Sequence, residues 1–378
     1  MDTPWIKKYC ALCETVITPS NDSREHIVPN STGGRRKVRM FLCVNCNSRT
    51  GDSWDAELWR QFGHLAMMHG VQRDRGEPPP IQIRTIDGGQ YRLLANGSMT
   101  IDRPIFDAAS NESSVTINIT ARDMAQARML AAQAAKKYPK LDVQTMLASA
   151  TERATPLESP VTFTSSFGGD LAGRSMVKSA LALAASVGVG AEVCDVALTY
   201  LRDSAATPAY AMFYVRDLVA TRPETHAINC VSVYGDPARR TLLGYVEYLS
   251  MSRVVVLLSE SYMGEPITET YAFNPATGRE IDLRVDLDLS DAEIEMVRAG
   301  CAATDETYHA AFGAGFDVIY KQSQQRLFDR SFREAVEYAC EVLDLTPDGF
   351  LPPDKMREFV IVVMERLGPT VGRMGRRN

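Results

Sequence analysis

The reading of this chain turns on Cys10-Ala11-Leu12-Cys13, Ser23-Arg24-Glu25-His26-Ile27-Val28-Pro29-Asn30-Ser31-Thr32-Gly33-Gly34, the basic run Arg35-Arg36-Lys37-Val38-Arg39, and Cys43-Val44-Asn45-Cys46-Asn47. Each C-x-x-C turn can aim two thiolates at one point. Two such turns brought together give the tetrahedral four-sulfur set that suits structural zinc. The 29 residues between the pairs exceed the roughly 15–20 of a simple zinc ribbon, so something is inserted between the halves. A redox C-x-x-C is the competing reading. It calls for one motif at the head of a helix after a strand, not two flanking motifs. Cys194, Cys230, Cys301 and Cys340 are isolated in apolar surroundings and read as small buried side chains.

The inserted segment carries an acid–histidine pair, a proline and a double glycine, and the second knuckle is followed by Asn47, Gly51 and Asp55. In this order the pattern resembles the HNH nucleases, the zinc-knuckle branch of the ββα-metal proteins, over about residues 10–60. Within that family it is similar to the subgroup with C-x-x-C, E-H-I-x-P, G-G and C-x-x-C-N. Gly173 to Ala182 resembles, more faintly, a helix from the long C-terminal region of that subgroup. The resemblance implies a metal-dependent endonuclease with His26 as general base. It also implies Glu25 and Asn47 as ligands of a catalytic Mg²⁺ or Mn²⁺, and Cys10, Cys13, Cys43 and Cys46 on zinc. Three positions depart from the usual family pattern. Glu25 stands where many members have Asp, Val38 where many have a bracing Asn, and Asn47 where the name has its final His. Asn30 and Asn45 are the candidates to replace the missing brace.

The residue chemistry agrees with those roles. A neutral imidazole, with an ordinary pKa near ~6.5, is suited to take a proton from water at neutral pH. Glu25 and Asn47 offer hard oxygen donors for Mg²⁺ or Mn²⁺. In a regular strand Glu25 and His26 point to opposite faces, so both can serve one site only at a bend or strand end. Arg35, Arg36, Lys37 and Arg39, extended by Arg24 and Arg49, form a basic footprint for the DNA backbone without base reading.

The charge distribution points the same way. Residues 1–75 hold 11 Lys and Arg against 8 Asp and Glu, whereas the chain as a whole carries −6. A positive front on an acidic body suits an anionic partner. No stretch approaches the ~20 apolar residues that span a bilayer, and the N-terminus lacks an apolar secretory core. The expected setting is therefore the reducing cytoplasm, with no membrane partner. Composition is that of a globular protein, and 378 residues suggest two or three domains.

The fold class expected is α+β: an N-terminal zinc-stabilised ββα-metal finger, then a larger mixed domain with antiparallel strands. The expected division is 1–75 for the nuclease domain, 76–80 for a proline-rich linker and 81–378 for an α+β region of open role. That region reads as a hairpin over Ile81–Leu94 and a helix near Ala121–Lys137 with a short one before Thr151. A strand follows at Pro160–Phe167, then a helical stretch from Met176 to Val193, a helix from Glu192 to about Arg202 and several strands from Tyr210 to Ala272. Helices at Asp291–Ala299, Ser331–Leu343 and Pro353–Leu367 close the chain. Gly168 to Ser175 spells a phosphate loop with Arg174 in place of its lysine, which argues against nucleotide hydrolysis. His64 and His69 have the wrong spacing for a zinc pair. A further helix start is expected at Asp52 or Ser53, with Trp54, Leu58 and Phe62 on one face. Two alternatives accompany the endonuclease reading. One is a catalytically degenerate zinc module that binds nucleic acid. The other is an effector nuclease of defence type, regulated by a small molecule or protein acting on the C-terminal region. The sequence leaves the oligomer open.

Overall fold

The computed structural model describes residues 8–110, 115–151, 157, 159–300, 302–346 and 349–374; Cys301 lies outside them. Strands β1 (Glu25–His26) and β2 (Lys37–Val38) pair antiparallel, His26 opposite Lys37. Their connection needs both glycines. Gly33 has φ +93°, and a Cβ at Gly34 would lie 1.7 Å from the Val28 carbonyl oxygen. Helix α1 (Val44–Thr50) then runs through a π-turn, Gly51–Asp55, into α2 (Ala56–His69). The expected new start at Asp52 or Ser53 is therefore absent. Helical dihedrals continue through Gly51 and Ala56, and Ser53 Oγ donates to the Arg49 carbonyl at 2.7 Å instead of capping.

Strands β3 (Ile81–Thr85), β4 (Gln90–Leu93), β5 (Met99–Ile101) and β8 (Val161–Thr162) form a small sheet in the order β5-β4-β3-β8. A separate ribbon joins β6 (Ile105–Ser110) to β7 (Val115–Thr120), followed by α3 (Met124–Lys137) and α4 (Val143–Ala148). Next come α5 (Asp170–Ser186) and α6 (Asp195–Arg202). The main sheet is antiparallel, in the order β14-β13-β10-β11-β12-β9. Its strands are β9 (Tyr210–Met212), β10 (Asn229–Asp236), β11 (Thr241–Tyr248), β12 (Ser252–Ser259), β13 (Ile267–Asn274) and β14 (Arg279–Glu280). Helices α7 (Asp291–Arg298), α8 (Asp305–Val342) and α9 (Met356–Met374) end the chain. No helix among the described residues is long and apolar enough to cross a membrane.

The main sheet is buried on both faces. Val231, Val233, Val246, Val254, Val256 and Leu258 belong to one apolar cluster; Cys230, Leu243, Tyr245, Val255 and Leu257 belong to the other. This is the two-residue alternation of a strand, apolar in both phases. Helix α5 covers the first face. It is buried without interruption from Ala172 to Ala184, its Arg174 and Lys178 satisfied by partners inside. Gly244 allows the close approach, because a Cβ there would meet Ala180 Cβ at 2.7 Å.

The same cluster that unites α5 with the sheet also contains Cys10, Ile27, Val28, Leu42, Leu58 and Phe62. The finger and the sheet therefore share one apolar core. Polar contacts fix the join. Asn229 Nδ2 donates to the Thr32 carbonyl at 2.6 Å, and Tyr271 Oη accepts the Arg35 and Arg36 N–H groups, each at 3.2 Å. No helix or strand forms between His69 and Ile81.

Two expected elements change. The strand proposed for Pro160–Phe167 shrinks to β8, because only Val161 and Thr162 find a neighbour, β3. The helix expected at Ser331 begins at Asp305, where Thr304 and Thr307 form a reciprocal cap.

His69 ends α2 fully buried, and neither ring nitrogen has a hydrogen-bond partner. Burial, with Arg326 and His226 nearby, pushes its pKa down to about 4. The folded state thus resists the proton that the unfolded chain accepts below ~6.5. The resulting stability is present above that value and is lost as pH falls toward about 4. His69→Leu is expected to raise stability by about 1 kcal/mol at pH 7 and to flatten the decline between pH 6.5 and pH 4. Thermal melts over that pH range check both effects.

Candidate active site

Each knuckle is shaped by a left-handed residue: Glu14 (φ +59°) follows the first pair and Met40 (φ +56°) precedes the second. The sulfurs of Cys10, Cys13, Cys43 and Cys46 all lie within 4.8 Å of one another. The Cys13–Cys43 separation is 3.7 Å, close to the ~3.8 Å edge of a tetrahedron with ~2.3 Å zinc–sulfur bonds. Cys13, hydrogen-bonded to Thr15, has its pKa lowered to about 6, whereas burial raises the Cys10 and Cys46 thiols. The donor set therefore fits structural zinc. Arg202 Nε of α6 donates to the Ala11 carbonyl at 2.9 Å, which ties this knuckle to the body. Elemental analysis should find one zinc per chain. Cys46→Ser should lose the metal and lower the melting midpoint, since metal binding is coupled to folding of such knuckles. Metal-free protein with an unchanged melt would contradict this.

Beside the knuckle lies a cleft of about 320 Å³ whose lining includes Arg24, Glu25, His26, Asn47, Asp55 and Trp59. Glu25 and His26 reach it from one two-residue strand, with different partners. His26 Nε2 meets Asp74 Oδ2 at 3.1 Å. Lys37 Nζ donates to the same oxygen at 2.6 Å. These bonds, Lys37 first and then His26, hold the Asp74 carboxyl down to about 2. Burial depresses the His26 pKa, the Asp74 bond opposing it, so the ring is neutral at pH 7. Asn30 clamps the acid in place. Its Oδ1 accepts the Asp74 and Arg75 N–H groups at 3.0 and 3.3 Å, and its Nδ2 donates to the Arg75 carbonyl at 3.0 Å. Asn45 is exposed and Val38 is buried in the core.

Glu25 faces the other way, toward α5. Lys178 Nζ lies 2.7 Å from Glu25 Oε1 and 2.8 Å from Asp55 Oδ2. Ser175 Oγ donates to Asp55 Oδ1 at 2.6 Å. Lys178 is 1% exposed. Burial opposes its charge, but Asp55 and Glu25 together outweigh burial and raise its pKa. Burial pushes Glu25 upward, against the pull of Lys178. Two carboxylates share one ammonium, so this corner of the cleft keeps one net negative charge when both are ionised. Asn47 lines the same cleft.

Residues 10–63 match the family model of the HNH endonucleases. No curated protein and no solved structure matches the chain. The HNH match implies a nuclease with a nucleic-acid substrate. Asp74 and Lys178 lie beyond the matched HNH residues, and they contact His26 and Glu25 directly.

The basic run is largely engaged within the protein. Arg36 meets Glu269 at 3.3 Å and lies over the Tyr271 ring, Arg35 Nη2 donates to Gln72, and Arg39 approaches Asp22 at 3.7 Å. Arg49 sits against Cys46 Sγ at 3.9 Å. The cations lining the HNH cleft are Arg24, Arg73 and Arg75, with Arg73 stacked 4.3 Å from the centre of the Trp59 ring. Sequence reasoning missed Arg73, Arg75, Asp74 and Lys178 as parts of the site. The lone lysine in an apolar helix was the available signal, because a buried ammonium requires a counter-charge. Arg174, suggested by the phosphate-loop spelling, turns inward: it bonds Asp170 and the carbonyls of Tyr200 and Asp203.

Proposed function

We propose that this protein is an endonuclease that hydrolyses DNA phosphodiester bonds in the cleft lined by Glu25, His26, Asn47 and Trp59. The observation that carries the reading is a neutral His26, held by Asp74 on the wall of a cleft that Glu25 and Asn47 also line. The Asp74 carboxylate accepts the Nε2–H, which leaves Nδ1 as the basic nitrogen. Nδ1 takes the proton of the attacking water. Asp74 keeps the ring in that tautomer and steadies the imidazolium that forms. Asn30 and Lys37 hold Asp74 in register with the ring. Arg24, Arg73 and Arg75 receive the phosphates along the cleft, and Trp59 supports Arg73.

Glu25 and Asn47 are the residues that would hold Mg²⁺ or Mn²⁺, and Lys178, 2.7 Å from Glu25, opposes the burial that raises the Glu25 pKa. When bound, the ion offsets charge on the phosphate and the leaving oxygen. Arg35, Arg36, Lys37, Arg39 and Arg49 form the outer rim, where their existing partners limit them to secondary backbone contacts.

The test is nicking of supercoiled plasmid by the full chain over a Mg²⁺ and Mn²⁺ series, with single-stranded RNA in parallel. Metal-dependent conversion to open circles is the expected result. Salt-sensitive binding without any nicking, by folded zinc-loaded protein, would replace this reading with that of a binding module.

A further inference from the structure

Both strands of the β6–β7 ribbon face solvent. Every residue of β6 is exposed, whereas in β7 Ile117 and Ile119 are half-buried and Thr116, Asn118 and Thr120 are exposed. The register sorts these side chains into two faces. Phe106, Ala108, Ile117 and Ile119 share one, and α3 lies against β7. The other sets Asp107 opposite Asn118, Ala109 opposite Thr116 and Ile105 opposite Thr120. The side chains of Asp107, Thr116, Asn118 and Thr120 have no hydrogen-bond partner among the described residues. The root of the ribbon is fixed. Asp102 accepts from Arg92 at 2.6 Å and from Gln82 at 3.2 Å, and Thr100 Oγ1 donates to the Arg122 carbonyl at 3.5 Å. These bonds tie it to the small sheet, whose Ile83 and Leu93 cluster with Trp59 of the cleft wall.

The surroundings point to the occupant. Arg103 and Arg122 flank the root, one before β6 and one after β7, and residues 124–141 contain three lysines and an arginine but no Asp or Glu. Arg103, Arg128, Lys136 and Lys140 are exposed and form no ion pair among the described residues. On a chain of net charge −6, such a concentration of free cations selects a polyanion. Shape selects its form. A two-stranded ribbon enters the major groove of B-DNA, ~12 Å wide, whereas the major groove of duplex RNA is too narrow and deep for side chains to read. Strands of six residues extend ~20 Å, more than the ~8.5 Å depth of the DNA groove. The exposed face has the matching chemistry. An Asn pairs bidentately with adenine, an Asp accepts from the cytosine amino group, and a Thr contacts the thymine methyl.

We propose that the polar face of the β6–β7 ribbon reads base edges in the major groove of duplex DNA, with Arg103, Arg128, Lys136 and Lys140 on the adjoining phosphates. The inference rests on DNA as the substrate, and it adds a sequence preference to contacts that otherwise grip only the backbone. The full chain carrying His26→Ala, which spares bound DNA, should enrich a short motif from duplexes with a randomised stretch. Asn118→Ala in that background should lower affinity for the enriched sequence by about ten- to hundredfold, with affinity for random duplex and the melting midpoint unchanged. Arg103→Ala with Lys140→Ala should weaken both duplexes alike and reduce the salt slope by about two. Absence of enrichment would overturn the proposal, as would a motif untouched by Asn118→Ala and Asp107→Ala, or tighter binding of RNA of the same sequence. Plasmid nicking by the parent chain decides the nuclease reading separately. Enrichment without nicking keeps the ribbon assignment and ends the nuclease reading; nicking without enrichment does the reverse.

Discussion

Plasmid nicking by the His26→Ala protein is expected to fall by about 10²–10⁴-fold, the usual contribution of a positioned general base. Zinc content and the melting midpoint should stay close to those of the parent. His26 is largely enclosed, and its one side-chain partner is the partly exposed Asp74, so truncation removes chemistry more than packing. Asp74→Ala should give a smaller loss in kcat with KM little changed, because Asp74 sets the ring's tautomer and does not reach the substrate. The sign of the pH dependence follows from burial of the imidazole. Its pKa lies below ~6.5, so the rate should be level at neutral pH and decline as acid protonates Nδ1. Full activity in His26→Ala protein would end the assignment of His26 as the base.

Lys178→Met should produce the largest stability loss of any single change considered. Removing one member of a buried ion cluster typically costs about 3–5 kcal/mol, because the remaining charges stay buried without compensation. Here two carboxylates, Glu25 and Asp55, would be left facing each other beside the cleft. Chemical denaturation should show the shifted midpoint. The triple variant with Glu25→Gln, Asp55→Asn and Lys178→Met should recover at least half of the loss, since it removes the orphaned charges along with their partner. A Lys178→Met midpoint within ~0.5 kcal/mol of the parent would mean that the cluster contributes little. A fragment ending at Arg75 also lacks Lys178. Its behaviour reports loss of this support together with release from any restraint, so the point variant is the cleaner probe.

The local parts of the site were legible because local chemistry dictates them. Paired C-x-x-C turns, an acid–histidine step and a double glycine each have short-range causes, and the sulfurs do converge as their spacing implies. The apolar runs of the later strands were equally readable, as was the helix beginning near Met124. What escaped depends on contacts between distant residues. Asp74 sits at the very end of the expected nuclease domain, and nothing nearby in sequence says that it meets a ring 48 positions earlier. Of the two candidates for the brace, Asn30 and Asn45, Asn30 bonds the Asp74 and Arg75 backbone. Lys178 was visible as an oddity in an apolar helix, while its partners were not. Strands β5, β6 and β7 were missed because most of their residues stay exposed or half-exposed, so their sequence carries little inside–outside contrast. The start of α8 was missed although Tyr308, Phe312, Phe316 and Tyr320 recur at four-residue intervals. All four lie ahead of Ser331, where the helix was expected to begin.

The shared core also bears on portability. Ile27, Leu42, Leu58 and Phe62 are covered in part by a helix that arrives more than a hundred residues later. A cassette of residues 10–63 moved into a foreign scaffold would carry a greasy underside into water, together with two acids stripped of their counter-ion. Anyone wishing to transplant this cutter would have to bring α5 with it, or redesign that underside.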